Sequence, residues 1–308
     1  MTRYYVILNP TAGKGSGELA FPAVQAQLQA LNLDFEMVRT TARGHAIQLA
    51  KDAALAGWDV VVAVGGDGTM NEVLNGLVQA QKLGAAHAVL GQITVGRGND
   101  FGFGAGIPHE LEAACASLAQ GRRKRIDVGF VQGGDFPDGR YFGNGVGIGF
   151  DAVVGFVAAK QKRLSGFLSY IVAALKTMFL YFHAPLVQVE LNGETRKMSA
   201  LMISVMNGRR MGGGFMMAPT GSMEDGAFTC CLVDQVSRPA ILGLIPKFMQ
   251  GTQVGHPAVH MENTAYLVVT ALKGTLPAHA DGETICEAGQ KLELSLHPGL
   301  LEVIVPTS

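Results

Sequence analysis

The hydrophobic and polar positions follow two different rhythms, and the change falls near Gly121. Before it, apolar runs alternate with helical periodicity. Arg3–Asn9 reads as a strand, and Glu18–Leu31 as a helix with Leu19, Val24, Leu28 and Leu31 on one stripe. Phe35–Arg39 reads as a strand, Ala46–Gly57 as a helix, and Asp59–Val64 as a strand with no alternation, as expected when both faces are covered. Met70–Gln81 (helix), Ala88–Ile93 (strand) and Pro108–Gln120 (a helix opened by proline) complete the series. Strand and helix in turn predict a parallel sheet with right-handed crossovers. After Arg125 the runs are short and separated by turn residues, as in "IDVGFVQ", "LVQVELN", "ALMISVMN", "AFTCCLVD", "AYLVVTA" and "LELSLHP". That pattern predicts antiparallel β structure. Two helical segments interrupt it, Leu164–His183 and one near Ala240–Gln250.

The fold expected is therefore an α/β N-terminal domain with a parallel sheet over residues 1–125, followed by a mainly antiparallel β C-terminal domain over 126–299. The last strand, Glu302–Val305, could return to the first domain, which makes 300–308 a candidate to complete it. A length of 308 residues agrees with two domains.

Composition narrows the function classes. A formal net charge of -1 offers no global field to nucleic acid or to an anionic membrane, so nucleic acid is not expected as a partner and any membrane contact needs a local patch. The four cysteines, Cys115, Cys230, Cys231 and Cys286, form no CxxC pair and read as reduced buried thiols. The histidines show no ligand spacing, and His279 reads as a surface residue or one at a site rim. The start "MTRYYVILNP" is a strand pattern without the features of a signal peptide. Leu164–His183 is nearly long enough to span a bilayer, but Lys176 sits inside it, so it reads as a buried or lipid-facing helix. The basic run Arg122–Arg125 reads as a solvated hinge, with contact to anionic headgroups as its functional alternative.

The candidate chemistry sits in three glycine-rich segments, each after a predicted strand: "NPTAGKGSG" (Asn9–Gly17), "GGDGT" (Gly65–Thr69) and "GRGNDFG" (Gly96–Gly102). Ligands of α/β sheets bind at the carboxyl ends of the strands. Glycines there let backbone amides approach phosphate oxygens, and a following helix N-terminus adds partial positive charge. Asp67 cannot bind phosphate by itself and must meet a sugar hydroxyl, a metal or a proton donor; Asp100 poses the same question. A Walker A loop is excluded, because Leu8 stands where its first glycine belongs and Gly15 replaces the Ser/Thr. The dinucleotide fingerprint is excluded by Glu18 in place of its third glycine.

These segments resemble the nucleotide-binding motifs of the diacylglycerol kinase catalytic-domain family, in particular its soluble bacterial lipid kinases. The resemblance continues in order through "RIDVG" (Arg125–Gly129), "NGVGIGFDA" (Asn144–Ala152), "GGGFMMAPTGSMEDGAF" (Gly212–Phe228) and "DGE" (Asp281–Glu283). It implies a fold of the NAD kinase/diacylglycerol kinase kind and an ATP-dependent transfer of the γ-phosphate to a lipid hydroxyl, of diacylglycerol or a related lipid alcohol. By resemblance, Asn9, Thr40, Gly65, Gly66, Asp67, Gly68, Thr69 and Asn71 match nucleotide-binding positions. Asp225, with the carbonyls of Ser222 and Ala227, matches a Mg²⁺ site. Glu283 matches the general base, and Asp127 a second acid linked by water to the first-domain aspartates. ATP and Mg²⁺ are the implied cofactors. A lipid substrate at the membrane surface is the implied partner, and a cytoplasmic protein in peripheral contact with the membrane the implied setting. Oligomeric state stays open, a homodimer among the options.

One departure stands out. In "QITVGRGND", Arg97 occupies the family's threonine position and Thr94 that of its proline. Arg97 either grips a phosphate oxygen or blocks the site; phosphate contact is the reading taken. The alternatives to a lipid kinase are a soluble NAD-type kinase and a non-catalytic nucleotide-sensing homologue. For an apolar acceptor groove the second half offers the Leu164–Phe182 segment and the methionine-rich "RRMGGGFMM" (Arg209–Met217).

Overall fold

The computed structural model describes residues 1–96, 98–159, 172 and 184–307. Arg97 and, apart from residue 172, the predicted Leu164–His183 helix lie outside the described residues. The chain divides into two compact units, Met1–Asp127 with Gly299–Ser308, and Val128–Pro298.

In the first unit, β1 (Arg3–Leu8), β2 (Asp34–Arg39), β3 (Val60–Gly65) and β4 (Val89–Thr94) pair in parallel in the order β4-β3-β1-β2. β3 and β4 are buried along their whole length, which is why their sequences, "VVVAVG" and "VLGQIT", do not alternate. The crossover helices are α1 (Ala12–Ala30), α2 (His45–Leu55), α3 (Asp67–Lys82), α4 (Asp100–Ala105) and α5 (Leu111–Gln120). α3 is buried on most of its circumference, by Met70, Val73, Leu74 and Leu77 and also by Thr69, Asn71, Glu72 and Asn75. Glu72 is held there because its carboxylate accepts the N–H groups of Gly44 (2.8 Å) and Ala46 (3.1 Å), capping α2.

The chain leaves the first unit along β5 (Arg122–Gly133) and re-enters it along β15 (Lys291–Val305), where Val303 pairs in parallel with Leu90 of β4. The expected strand Glu302–Val305 is the end of this much longer one. Some boundaries differ from the sequence reading. Arg122–Arg125 opens a strand rather than forming a hinge, with Arg122, Arg123 and Arg125 exposed. Pro108 lies before α5, which starts at Leu111 after Glu110 in extended geometry. Leu19 is 83% exposed, and Phe21 on the same helix lies under the Arg39 guanidinium, 3.7 Å from its ring centroid.

In the second unit the elements are β6 (Phe136–Phe142), β7 (Gly145–Gly149), α6 (Phe150–Ala159), β8 (Leu186–Leu191), β9 (Glu194–Met206), β10 (Phe228–Asp234), α7 (Arg238–Gln250), β11 (Val259–Thr264), β12 (Tyr266–Lys273), β13 (Leu276–Ala280) and β14 (Glu283–Gly289). Among the described residues of this unit, the pairs formed by β7 to β14 with one another, by β12 with β15 and by β5 with β6 are antiparallel. β9 serves two layers. Its first half pairs with β8, leading on to β12 and β15, and its second half pairs with β7 and β10, leading on to β13, β14 and β11. Val146, Val189, Ile203, Phe228, Leu267 and Leu294 belong to the core of this unit. The four cysteines are free and buried, and burial pushes the thiols of Cys115 and Cys231 up, to about 11 and about 12. Among the described residues no helix is long and apolar enough to cross a membrane.

Candidate active site

In the first unit the three glycine segments meet at the carboxyl ends of β1, β3 and β4. Asn9 donates its N–H to the Val64 carbonyl (3.0 Å) and its amide Nδ2 to Thr69 Oγ1 (3.0 Å), while its Oδ1 accepts from the N–H (3.0 Å) and hydroxyl (2.9 Å) of Thr11. The first segment is thereby pinned to the third residue of α3. Gly13, Lys14 and Gly15 follow with φ of 59°, 64° and 100°. Glycine adopts this geometry without strain, so the run turns the chain tightly after β1, and the Gly15 N–H donates to the Thr11 carbonyl (3.3 Å). The second and third segments touch backbone to backbone. A Cβ on Gly66 would lie 3.1 Å from Gly96 Cα, and a Cβ on Gly96 would collide with Gly66 Cα. Gly96 leaves no room for a side chain, and Gly66 only a tight one.

Gly66 is the N-cap of α3, in extended geometry, and Asp67 and Gly68 fill its first turn. The helix N-terminus thus faces the junction of the segments. Asp67 Oδ1 accepts the N–H of Phe101 (3.1 Å), tying α3 to α4. A Cβ on Gly98 would lie 2.8 Å from Asp67 Oδ2 and 3.4 Å from Asp100 Oδ2, so the two carboxylates flank one backbone point. Thr40 is buried just past β2, its N–H on the Leu8 carbonyl (2.9 Å). The geometry therefore gathers Asn9, Thr40, Gly65, Gly66, Asp67, Gly68 and Thr69 at one sheet edge. Asn71 follows one turn further along α3 and is fully buried, with Asn75 Nδ2 donating to its carbonyl (2.8 Å) and its Oδ1 (3.2 Å). Asp127 Oδ1 accepts the N–H of Gly299 (2.8 Å), which joins β5 to β15 within the first unit.

The remaining candidates belong to the second unit. Asp225 is exposed in the loop before β10, its Oδ1 accepting the Ala227 N–H (3.2 Å), and Ser222 Oγ accepts the Glu224 N–H (3.2 Å). One exposed carboxylate and loop carbonyls are hard oxygen donors, a set that fits a largely hydrated Mg²⁺. Glu283 is half-buried and opens β14 after a two-residue hairpin turn. Asp281 and Gly282 form that turn with φ of 47° and 82°, the type I′ geometry that Asp-Gly favours.

Three features of this region went unread in the sequence. Asp281 is buried, and its carboxylate accepts three consecutive backbone N–H groups, Gly143 to Oδ2 (2.7 Å), and Asn144 (2.9 Å) and Gly145 (3.0 Å) to Oδ1. The residue that shapes the turn before Glu283 therefore also anchors it. Asp151, in the first turn of α6, is buried; burial pushes its carboxyl up to about 7 although Ser204 Oγ (2.9 Å) and the Ala152 N–H (2.8 Å) donate to it. His279 is buried in β13 rather than at a rim. Among the described residues its Nδ1 has no hydrogen-bond partner, and burial lowers its pKa to about 4. A Cβ on Gly147 would lie 2.5 Å from Asp151 Oδ2 and 2.6 Å from His279 Nε2, so this glycine lets the pair approach. Alternation along β13 sets His279 on the face opposite Leu276, Ala278 and Ala280, so nothing in the strand itself places it inside; α6 covers that face, a Cβ on Gly155 lying 3.9 Å from His279 Cδ2.

The comparisons with known proteins agree with this architecture. The family model described as the diacylglycerol kinase catalytic domain matches residues 3–131, and that of the YegS C-terminal NAD kinase beta sandwich-like domain matches residues 144–305. The chain belongs to the diacylglycerol kinase catalytic-domain family, and it is a kinase, a phosphotransferase with an alcohol acceptor. It is 29% identical over 256 residues to the diacylglycerol kinase of Bacillus subtilis (strain 168), covering 82% of this chain and 81% of that protein. A crystal structure of a diacylglycerol kinase from Bacillus anthracis str. Sterne superposes with a TM-score of 0.73 at 19% identity, over 99% of this chain and 96% of that one. An NAD kinase from Archaeoglobus fulgidus, solved in complex with ATP, superposes with a TM-score of 0.50 at 14% identity, over 98% of this chain and 93% of that one. The two structural likenesses concern the fold: an α/β domain followed by a mainly antiparallel β domain.

Proposed function

We propose that this chain transfers the γ-phosphate of ATP to the hydroxyl of a membrane lipid alcohol, diacylglycerol or a close relative, with Mg²⁺ as the metal. The observation that carries the reading is the convergence of the three glycine segments on the N-terminus of α3. It supports a site for a polyphosphate, and the chain's family supports the acceptor class.

The residue roles follow from chemistry. Phosphoryl transfer asks a protein mainly for positioning and charge neutralisation. The amides of Gly66, Gly68 and Thr69 would cradle the phosphates, with Asn9 and Thr40 fixing the segments and Arg97 adding a cation. Asp225 and the carbonyls of Ser222 and Ala227 would hold Mg²⁺, which when bound neutralises phosphate charge. Asp67 and Asp127 would order the water and ion around the phosphates. Glu283 would take the proton of the acceptor hydroxyl, a role worth ~10²–10⁴-fold in rate.

The test is kinetic. Glu283→Gln is expected to lower kcat by about 10²-fold or more with ATP affinity unchanged. Asp225→Ala is expected to raise the Mg²⁺ concentration needed for half-maximal rate. Full activity in Glu283→Gln would remove Glu283 from the mechanism, and phosphorylation of NAD in place of lipid would replace the acceptor.

A further inference from the structure

We propose that the outer face of α7 is a docking surface for an anionic lipid bilayer. This rests on the lipid-kinase reading, which requires the protein to reach an acceptor that resides in a membrane. The helix carries two adjacent apolar stripes. Ile241, Leu244 and Phe248 are buried and form the stripe that packs inward. Leu242, Ile245 and Met249 form the next stripe at the same three- and four-residue spacing. Leu242 is 44% and Met249 39% exposed, and Ile245 is half-buried. Past Gly251, which ends the helix in left-handed geometry, Val254 is 56% exposed. The outer face of a packed helix is ordinarily polar. This one is apolar.

Charge selects the occupant. From Gln235 to Met261 the chain contains no Asp or Glu, while Arg238 and Lys247 are exposed cations on the helix itself. Arg238 stands at the start of the outer stripe, seven residues before Ile245. An apolar stripe that opens on a cation, in a segment free of acids, is the composition of a helix that lies in a bilayer interface. Self-pairing of two copies through this face would set cations beside cations with no acid on the segment to offset them. An anionic surface meets the same face favourably.

The experiment is co-sedimentation of the full chain with vesicles, without ATP or acceptor, so that docking is read independently of the reaction. Vesicles of phosphatidylcholine alone are compared with vesicles containing phosphatidylglycerol. The wild type is expected to bind the anionic vesicles more tightly. Arg238→Glu is expected to weaken that binding about fivefold or more, and the double variant Leu242→Glu/Met249→Glu at least about tenfold. These side chains are exposed, so the variants should melt with the wild type and should phosphorylate a short-chain monomeric diacylglycerol at the wild-type rate. The proposal is overturned by wild-type protein that does not bind anionic vesicles or by variants that bind as the wild type does. It is equally overturned by variants that lose turnover of the monomeric acceptor, or by a change in oligomeric mass that makes a second copy the occupant. Failure of the wild type to phosphorylate any lipid would count against the kinase reading alone.

Discussion

Asp281→Ala should be among the most damaging single changes in the second unit that leave the apolar core untouched. The Asp281 carboxylate accepts three backbone N–H groups, and the residue is 4% exposed. Alanine would leave three buried donors unpaired, at about 1 kcal/mol each or more. The residue also sits at φ 47°, where a Cβ without a side-chain hydrogen bond costs about 1 kcal/mol. The sum is about 4 kcal/mol. Two further variants separate the terms. Asp281→Gly removes the hydrogen bonds but relieves the left-handed backbone, so it should cost about 1 kcal/mol less than alanine, near 3. Asp281→Asn tolerates φ > 0 and keeps an acceptor for Asn144 and Gly145, but it turns a donor toward the Gly143 N–H; about 1–2 kcal/mol is expected. Chemical denaturation of the full chain, followed by probes on both units because two units need not unfold together, gives the order Ala, Gly, Asn. An Asp281→Ala cost below about 1 kcal/mol, or an Asn variant as damaged as the Ala variant, would refute the reasoning.

Other predictions follow from single contacts. Glu72→Ala leaves the Gly44 and Ala46 N–H groups at the start of α2 uncapped and should cost about 2 kcal/mol, read as a lower melting temperature with hydrogen exchange accelerated first in α2. Gly96→Ala should lower ATP affinity by tenfold or more, measured by calorimetry, because its methyl group would force the third segment off Gly66. Asp151, with its folded pKa raised to about 7, stabilises fully below its unfolded value near 4 and loses that contribution as pH rises to 7, up to about 4 kcal/mol in all. His279, lowered to about 4, has the opposite slope between about 4 and 6.5, so the two offset in the wild type. Asp151→Asn should therefore expose the histidine's slope, stability rising with pH from 4 to 6.5, and should exceed the wild type at pH 8; identical melting-temperature profiles of the two proteins would refute this.

Much of the first unit was legible because its chemistry is local. β3 and β4 announce themselves as unbroken apolar runs, and the glycine segments follow directly on the strands that place them. Leu19 misled because the period of a helix does not say which of its apolar residues meets the sheet; α1 buries Val24 and Leu28 and leaves Leu19 outside. The second unit was legible as antiparallel β but not as a topology. β9 changes partners halfway, and β15 passes from one unit to the other, and pairing at such distances leaves no mark on a single stretch of sequence. Asp281 shows the same limit: Asp-Gly signals a hairpin turn, but nothing near it signals that Gly143, Asn144 and Gly145 will donate to its carboxylate. The burial of His279 and Asp151 on either side of Gly147 depends on that residue's absent side chain, a relation that only the folded chain expresses.

The most direct test of the central claim is the fate of the label in a single turnover of γ-labelled ATP with Mg²⁺ and diacylglycerol in mixed micelles. The account predicts that label moves into the organic phase with wild-type protein and stays in the aqueous phase with Asp67→Ala. Wild-type label that remains aqueous, as orthophosphate or on added NAD, would contradict it.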